Sequence, residues 1–448
     1  MSLMISVSGI RGIFGTDLHP ENLTRFAAAY GSWTGGGKVV IGRDSRVTGA
    51  LCESVVSAAL QSVGCDVIKL GVVPTPTVAM GVLRHHADGG IVISASHNPA
   101  EWNALKLLNE KSEFLDDAQG REVIKRAEEG SFNYKTYEYT GSEFMDETLS
   151  RHHIEAILDQ HYIKPEEIRS RKFKVAVDAV NGAGSYIIPE LLYELGAAEV
   201  VELNCTPDGR FPHNPEPLPE HLEDICHLVK QEQCDLGVVV DPDADRLALV
   251  DENGRLFGEE YTIAAASDFM LARKKGPTVV NLSSSRVNED VAGRHGVTCY
   301  RSAVGEINVV KEMQQREAVI GGEGNGGVIN PDLHYGRDAL AGIAMILQHL
   351  ADLNTSASAY RDTLPHYEMS KNKIELKGLD PDEVITRLKD HYSGEQLSTV
   401  DGLKIDFEEG WVHLRKSNTE PIMRVYSEAA DTDRANELAR SVMKLISA

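Results

Sequence analysis

Short β-branched and aliphatic runs alternate along the chain with longer stretches of helical periodicity, and this alternation occurs three times. Strand-like runs at 38–44 and 66–71 open the first copy, those at 174–178 and 199–203 the second, and those at 277–281 and 297–300 the third. Each copy closes on a third apolar run that passes into an unusual polar loop, at 90–99, 236–246 and 318–327. Residues 48–64 predict one of the intervening helices, with Leu51, Val55 and Leu60 expected on a shared face. Such units predict α/β domains with largely parallel strands. Ligands of open α/β sheets bind beyond the carboxyl ends of the strands, so the three polar loops are where chemistry is expected. After Pro365 the pattern changes. Strand-like runs at 373–377, 402–407, 410–415 and 423–428, with helices near 380–392 and from 431, predict a small α+β domain. The expected division is 1–150, 151–255, 256–366 and 367–448: three α/β domains of common topology plus a smaller C-terminal α+β domain.

Composition narrows the function. A chain of 448 residues is too long for one core. No stretch of about 18 apolar residues is present to span a bilayer, and the N-terminus lacks a basic segment followed by an apolar one. The six cysteines show no CxxC pair or metal-ligand spacing, and read as reduced thiols of a cytoplasmic protein. A formal charge of −23 argues against nucleic acid or an anionic membrane surface as partner. An anionic substrate would therefore need local clusters of cations.

The loops supply candidate groups. In Ser94-Ala-Ser-His-Asn-Pro99 a hydroxyl follows an apolar strand, with His97 and Asn98 as polar neighbours, which suits a nucleophile or a plain turn. A serine-hydrolase elbow would need glycine where Ser94 and Asn98 stand. Asp241-Pro-Asp-Ala-Asp-Arg246 places three carboxylates at alternate positions, which repel one another unless a cation sits among them. Glu252 occupies the twelfth position of an EF-hand count, but Arg246 stands where that loop needs glycine. Open coordination beside three carboxylates suits Mg²⁺. Gly321-Gly-Glu-Gly-Asn-Gly-Gly327 combines backbone freedom with one carboxylate, Glu323, able to accept from sugar hydroxyls. Cations and hydroxyls concentrate in residues 415–424, a candidate phosphate cradle, and Arg11 is an isolated cation among glycines.

These loops, in this order and over essentially the whole chain, resemble those of the α-D-phosphohexomutase family of phosphoglucomutases, phosphomannomutases and phosphoglucosamine mutases. The resemblance implies four domains around a central cleft and a phosphoserine at Ser96, with Mg²⁺ held by that phosphate and by Asp241, Asp243 and Asp245. It implies sugar contacts from Glu323, Asn325 and Gly305, and a phosphate site from Arg415, Ser417, Asn418, Thr419 and Arg424. Arg11 and Arg246 would neutralise charge, and His97 and Lys106 are candidate bases. The implied reaction interconverts hexose 6-phosphate and hexose 1-phosphate through a hexose 1,6-bisphosphate, which also serves as activator. Glucosamine phosphate is the first expectation for the sugar, with mannose or glucose phosphate as alternatives and a metal-dependent sugar phosphatase as a remote one. A monomer or homodimer is expected, with no nucleic-acid or membrane partner. Bacterial members commonly read Gly-Glu-x-Ser-Gly-His in the sugar loop. Asn325 and Gly327 replace that Ser and His, so a hydroxyl and an imidazole contact are absent and Glu323 is the firmer carry-over.

Overall fold

The computed structural model describes residues 3–6, 9–376, 380–416 and 422–447. Three of its four sheets share one plan. In the first, strand Lys38–Arg43 lies between parallel strands Asp66–Val72 and Gly89–Ile93, and Trp102–Leu108 returns antiparallel beside the latter. In the second, Lys174–Asp178 lies between Glu199–Leu203 and Leu236–Val240, with Leu247–Asp251 antiparallel. The third places Thr278–Asn281 between Cys299–Ser302 and Ile320–Glu323, with Gly327–Ile329 antiparallel. The apolar runs become interior strands because their side chains find cover on both faces; Val39, Val40 and Ile41 are all fully buried. The antiparallel fourth strand was not foreseen. It forces the chain to reverse immediately after each third strand, so the polar loops are tight connections at the carboxyl ends of the parallel strands. Gly9–Ile13 with Met4–Ser6, and Glu143–Met145, extend the two edges of the first sheet to seven strands.

The predicted helix spans Gly49–Ser62, but its buried stripe is Cys52, Val56, Ala59 and Leu60, while Leu51 is 49% exposed. The shared face expected for Leu51 and Leu60 fails on helical geometry, since nine residues at about 100° each place them on opposite sides.

The C-terminal unit is a five-stranded antiparallel sheet in the order Glu368–Glu375, Ile422–Ala429, Gly410–Lys416, Leu403–Phe407 and Gln396–Ser398. Helices Pro381–His391 and Thr432–Ser447 cover it through Val384, Leu388, Ala439 and Val442. This is the segregated α+β arrangement expected.

Cores divide the molecule differently from sheets. Apolar residues of the second and third units form one continuous core, with Val238, Leu247, Ile263, Phe269 and Ile343 in a single cluster. The first and last units have cores of their own. Polar bonds then attach them to the central block. Thr75 N–H donates to Asp243 O at 2.9 Å, and Ser45 Oγ to Asn181 O at 2.6 Å. On the other side, Arg286 N–H donates to Glu428 Oε1 at 2.9 Å, and Ser283 Oγ lies 2.9 Å from His413 Nδ1. Among the described residues no helix is long and apolar enough to cross a membrane.

Candidate active site

Strand Gly89–Ile93 ends where the chain turns sharply, and Ser96 takes a left-handed backbone with φ 49°. That conformation costs a non-glycine residue about 1–2 kcal/mol, so something must hold it. Ser96 N–H donates to Ser94 Oγ at 2.9 Å, and Ser94 Oγ–H donates to Asp44 Oδ2 at 2.7 Å. Arg46, only 1% exposed, does the rest: it donates to Asp44 Oδ2 at 3.0 Å and to the carbonyls of Ser96, Asn98, Pro99 and Trp102 at 2.5–3.0 Å. Ser96 Oγ–H thereby points out of the loop and donates to Asp241 Oδ2 at 2.6 Å, with His97 Nδ1 at 3.3 Å.

The aspartates of residues 241–246 are completely buried, and their oxygens lie within 4.8 Å of one another. Asp241 Oδ1 accepts the N–H groups of Asp245 and Arg246 at 3.2 Å. Lys106 Nζ donates to Asp243 Oδ2 at 2.5 Å, Thr75 Oγ–H donates to the same oxygen, and Arg337 donates to Asp245 Oδ2 at 2.6 Å. Burial and the two neighbouring carboxylates push Asp241 well above the usual carboxylate range. For Asp243 burial acts in the same direction and is the largest single effect, but Lys106, Thr75 and Arg337 together outweigh it and hold the group low. Asp243 Oδ1 and Asp245 Oδ1 are buried without a partner among the described residues. Two orphaned carboxylate oxygens beside a third carboxylate form a hard, all-oxygen donor set, which fits a divalent cation such as Mg²⁺. Glu252 is not part of it, because it accepts from Ser358 N–H at 3.0 Å in a different part of the molecule.

Glu323 ends strand Ile320–Glu323 and is held on three sides. Asn281 Nδ2 donates at 2.9 Å, Gly305 N–H at 3.2 Å and Arg337 at 3.2 Å. Arg337 also donates to Glu306 at 2.8 Å, so one largely covered guanidinium ties the aspartate loop to the glycine-rich loop. Burial alone would lower its pKa, but Asp245, Glu306 and Glu323 more than reverse that.

All four units line one cleft of about 700 Å³: His97 from the first, Arg246 from the second, Glu323 and Asn325 from the third, Arg415 and Arg424 from the last. Lys371 and Lys373 add two cations, so an acidic chain gathers five cations at this cleft, beside Glu216, Glu259, Glu260 and Glu323. Arg11 donates to Asn98 Oδ1 at 2.7 Å, which places it at the serine loop. Ser417, Asn418 and Thr419 lie outside the described residues.

Four family models describing phosphoglucomutase/phosphomannomutase match in sequence: α/β/α domains I, II and III at residues 3–134, 151–254 and 258–367, and the C-terminal domain at 372–445. The chain belongs to the phosphoglucomutase/phosphomannomutase family. It is 36% identical to a phosphoglucomutase/phosphomannomutase of Thermococcus kodakarensis, over 100% of this chain and 99% of that one. It is 31% identical to a phosphoglucosamine/phosphogalactosamine mutase of Sulfurisphaera tokodaii, over 100% and 99%. A crystal structure of a phosphoglucomutase/phosphomannomutase family protein from Burkholderia thailandensis superposes with a TM-score of 0.86 at 27% identity, covering 99% of this chain and 98% of that one. As a family member the protein is a phosphohexomutase, an isomerase that moves a phosphoryl group within a hexose phosphate.

Sequence reasoning missed two arginines of this phosphohexomutase. Arg46 follows strand Lys38–Arg43 in a polar run that signals only a turn. Arg337 precedes Asp338, which caps helix Ala339–Asp352 by accepting from Leu340 and Ala341 N–H, and so reads as part of a helix start. The bonds of both reach residues distant in sequence.

Proposed function

We propose that this phosphohexomutase interconverts hexose 6-phosphates and hexose 1-phosphates through a phosphoserine at Ser96, with hexosamine phosphates as its preferred substrates. The observation that carries the reading is the Ser96 hydroxyl, fixed in a strained loop 2.6 Å from Asp241 and next in the chain to His97, which lines the cleft. The named hexosamine activity of the Sulfurisphaera tokodaii relative supports the choice of sugar.

Asp241, Asp243 and Asp245 would hold Mg²⁺ together with the Ser96 phosphate. Bound there, the ion would neutralise charge on the transferring phosphoryl group. The protein supplies the rest. Arg415 and Arg424, with Ser417, Asn418 and Thr419, bind the phosphate already on the sugar, leaving the free hydroxyl towards Ser96. The bond between phosphorus and Ser96 Oγ breaks as that hydroxyl attacks, and a hexose 1,6-bisphosphate results. The hydroxyl proton needs an acceptor. Burial favours the neutral form of Lys106 and Asp243 and Asp245 oppose it, but those carboxylates are the ones Mg²⁺ would engage, so Lys106 stays the candidate base. Burial together with Arg246 and Arg11 pushes His97 down to about 2, so its imidazole is neutral at the cleft but too weakly basic to carry that proton, and it serves as a polar neighbour of Ser96. Arg246 and Arg11 offset charge on the phosphoryl oxygens. The bisphosphate then reverses in the cleft, and Ser96 takes back the other phosphate. Glu323, Asn325 and Gly305 would read hydroxyls that exchange places on reversal.

Turnover of glucosamine, mannose and glucose phosphates with Mg²⁺ and a trace of hexose 1,6-bisphosphate tests the reading. Wild type should interconvert at least one pair, and Ser96→Ala should lose at least a thousandfold in kcat. Release of free phosphate in place of isomer would identify a phosphatase and refute it.

A further inference from the structure

The loop that follows strand Thr278–Asn281 supports two carboxyl groups at once. Asn281 Nδ2 donates to Glu323 Oε1, and Ser285 N–H, four residues on, donates to Glu260 Oε2 at 2.8 Å. Ser284 Oγ also accepts from Gly324 N–H at 3.0 Å, which pins the glycine-rich turn to the same loop. Glu260 comes from the first turn of helix Glu259–Leu271 and lies against Gly324, where an added Cβ would overlap its carboxylate. The residue after Glu323 therefore has no side chain, and a second acid from another element takes that space. Both glutamates line the 700 Å³ cleft.

Their charges are not treated alike. Arg337 answers Glu323. Among the described residues no ion pair reaches Glu260, and Lys371, which acts on it through space, is ion-paired to Glu259. Two adjacent glutamates thus share one lysine. Burial pushes the Glu260 carboxyl up to about 8, with Lys371 opposing and Glu259 adding to it, so a cation placed against this carboxyl would favour its charged form. Phosphate groups of a substrate cannot supply one, and ring hydroxyls are neutral donors. An ammonium on the ring supplies both a donor and a positive charge.

We propose that Glu260 is a specificity-determining residue that accepts the ring ammonium of a hexosamine phosphate. The proposal rests on the hexosamine reading above and names the group that enforces it. Gly324 is part of the device, because any side chain there displaces the acid.

The test compares kcat/KM for glucosamine 6-phosphate and glucose 6-phosphate in wild type, Glu260→Gln and Gly324→Ala. In Glu260→Gln the glucosamine-to-glucose ratio should fall at least tenfold. The same fall is expected in Gly324→Ala, which keeps the acid but fills its place. Calorimetric binding of the two sugar phosphates reads the same ratio in a variant that does not turn over. An active wild type whose ratio is unmoved in both variants, by turnover and by binding, overturns the assignment of Glu260 and leaves the mutase reading standing. A wild type inactive on both sugars and on mannose 6-phosphate overturns the two together.

Discussion

Arg46→Lys is the most searching test of how the serine loop is held. Arginine spreads five N–H bonds over Asp44 and four backbone carbonyls, from a side chain only 1% exposed. Lysine keeps the charge that Asp44 requires, so no buried carboxylate is stranded, but its ammonium has three donors for five acceptors. At least two carbonyls then lose their partner, at about 1–3 kcal/mol each, so a net destabilisation of roughly 2–4 kcal/mol follows after partial relaxation. In a unit of this size that corresponds to a fall in Tm of about 4–16 °C. The effect on chemistry should be larger than stability implies. Released carbonyls allow Ser96 to leave its left-handed conformation, and displacing a nucleophile by about 1 Å costs on the order of 100-fold. The assays are a thermal melt and single-turnover phosphorylation of Ser96 by hexose 1,6-bisphosphate, read by intact mass. A variant that melts within 1 °C of wild type and phosphorylates Ser96 within twofold of its rate would refute the reasoning.

Arg337→Met should cost about 3–5 kcal/mol, because Asp245, Glu306 and Glu323 would be left buried without their shared cation; a melting midpoint near wild type would contradict it. Adding Mg²⁺ to chelator-treated protein should raise Tm, by about 2.7 kcal/mol of stabilisation at a hundredfold excess over Kd, and Asp243→Asn should abolish the response. Burial lowers His413 to about 4 despite Asp401, and Arg415 and Lys404 add to the effect. Its unfolded form binds a proton below about 6.5, so the folded state loses up to about 3 kcal/mol as pH falls from 6.5 to 4. Stability measured across that window should flatten in His413→Gln; since His413 bonds both Ser283 and Asp401, acid should loosen the C-terminal unit first.

What could be read along the chain was whatever depends on neighbours in sequence. Runs such as Leu236–Val240, short, β-branched and followed by a polar turn, read as interior strands that need cover on both faces. The carboxylates at 241, 243 and 245 led to the expectation of a cation because their mutual repulsion needs no tertiary information. The repeated polar loop after each third strand marked where chemistry was expected, and residues of all three loops line one cleft. Tertiary structure alone decided the rest, because side-chain partners lie far apart in sequence. Arg46 and Arg337 looked like turn and cap residues, yet each gathers acceptors from separate segments. The sharing of one core by the second and third units depends on which apolar faces meet, and periodicity gives only that a face exists. Glu260 reads as an ordinary acid in the first turn of a helix. Its place beside Gly324, and its lack of an ion-paired cation among the described residues, exist only once two elements pack together and exclude the water that would otherwise screen it.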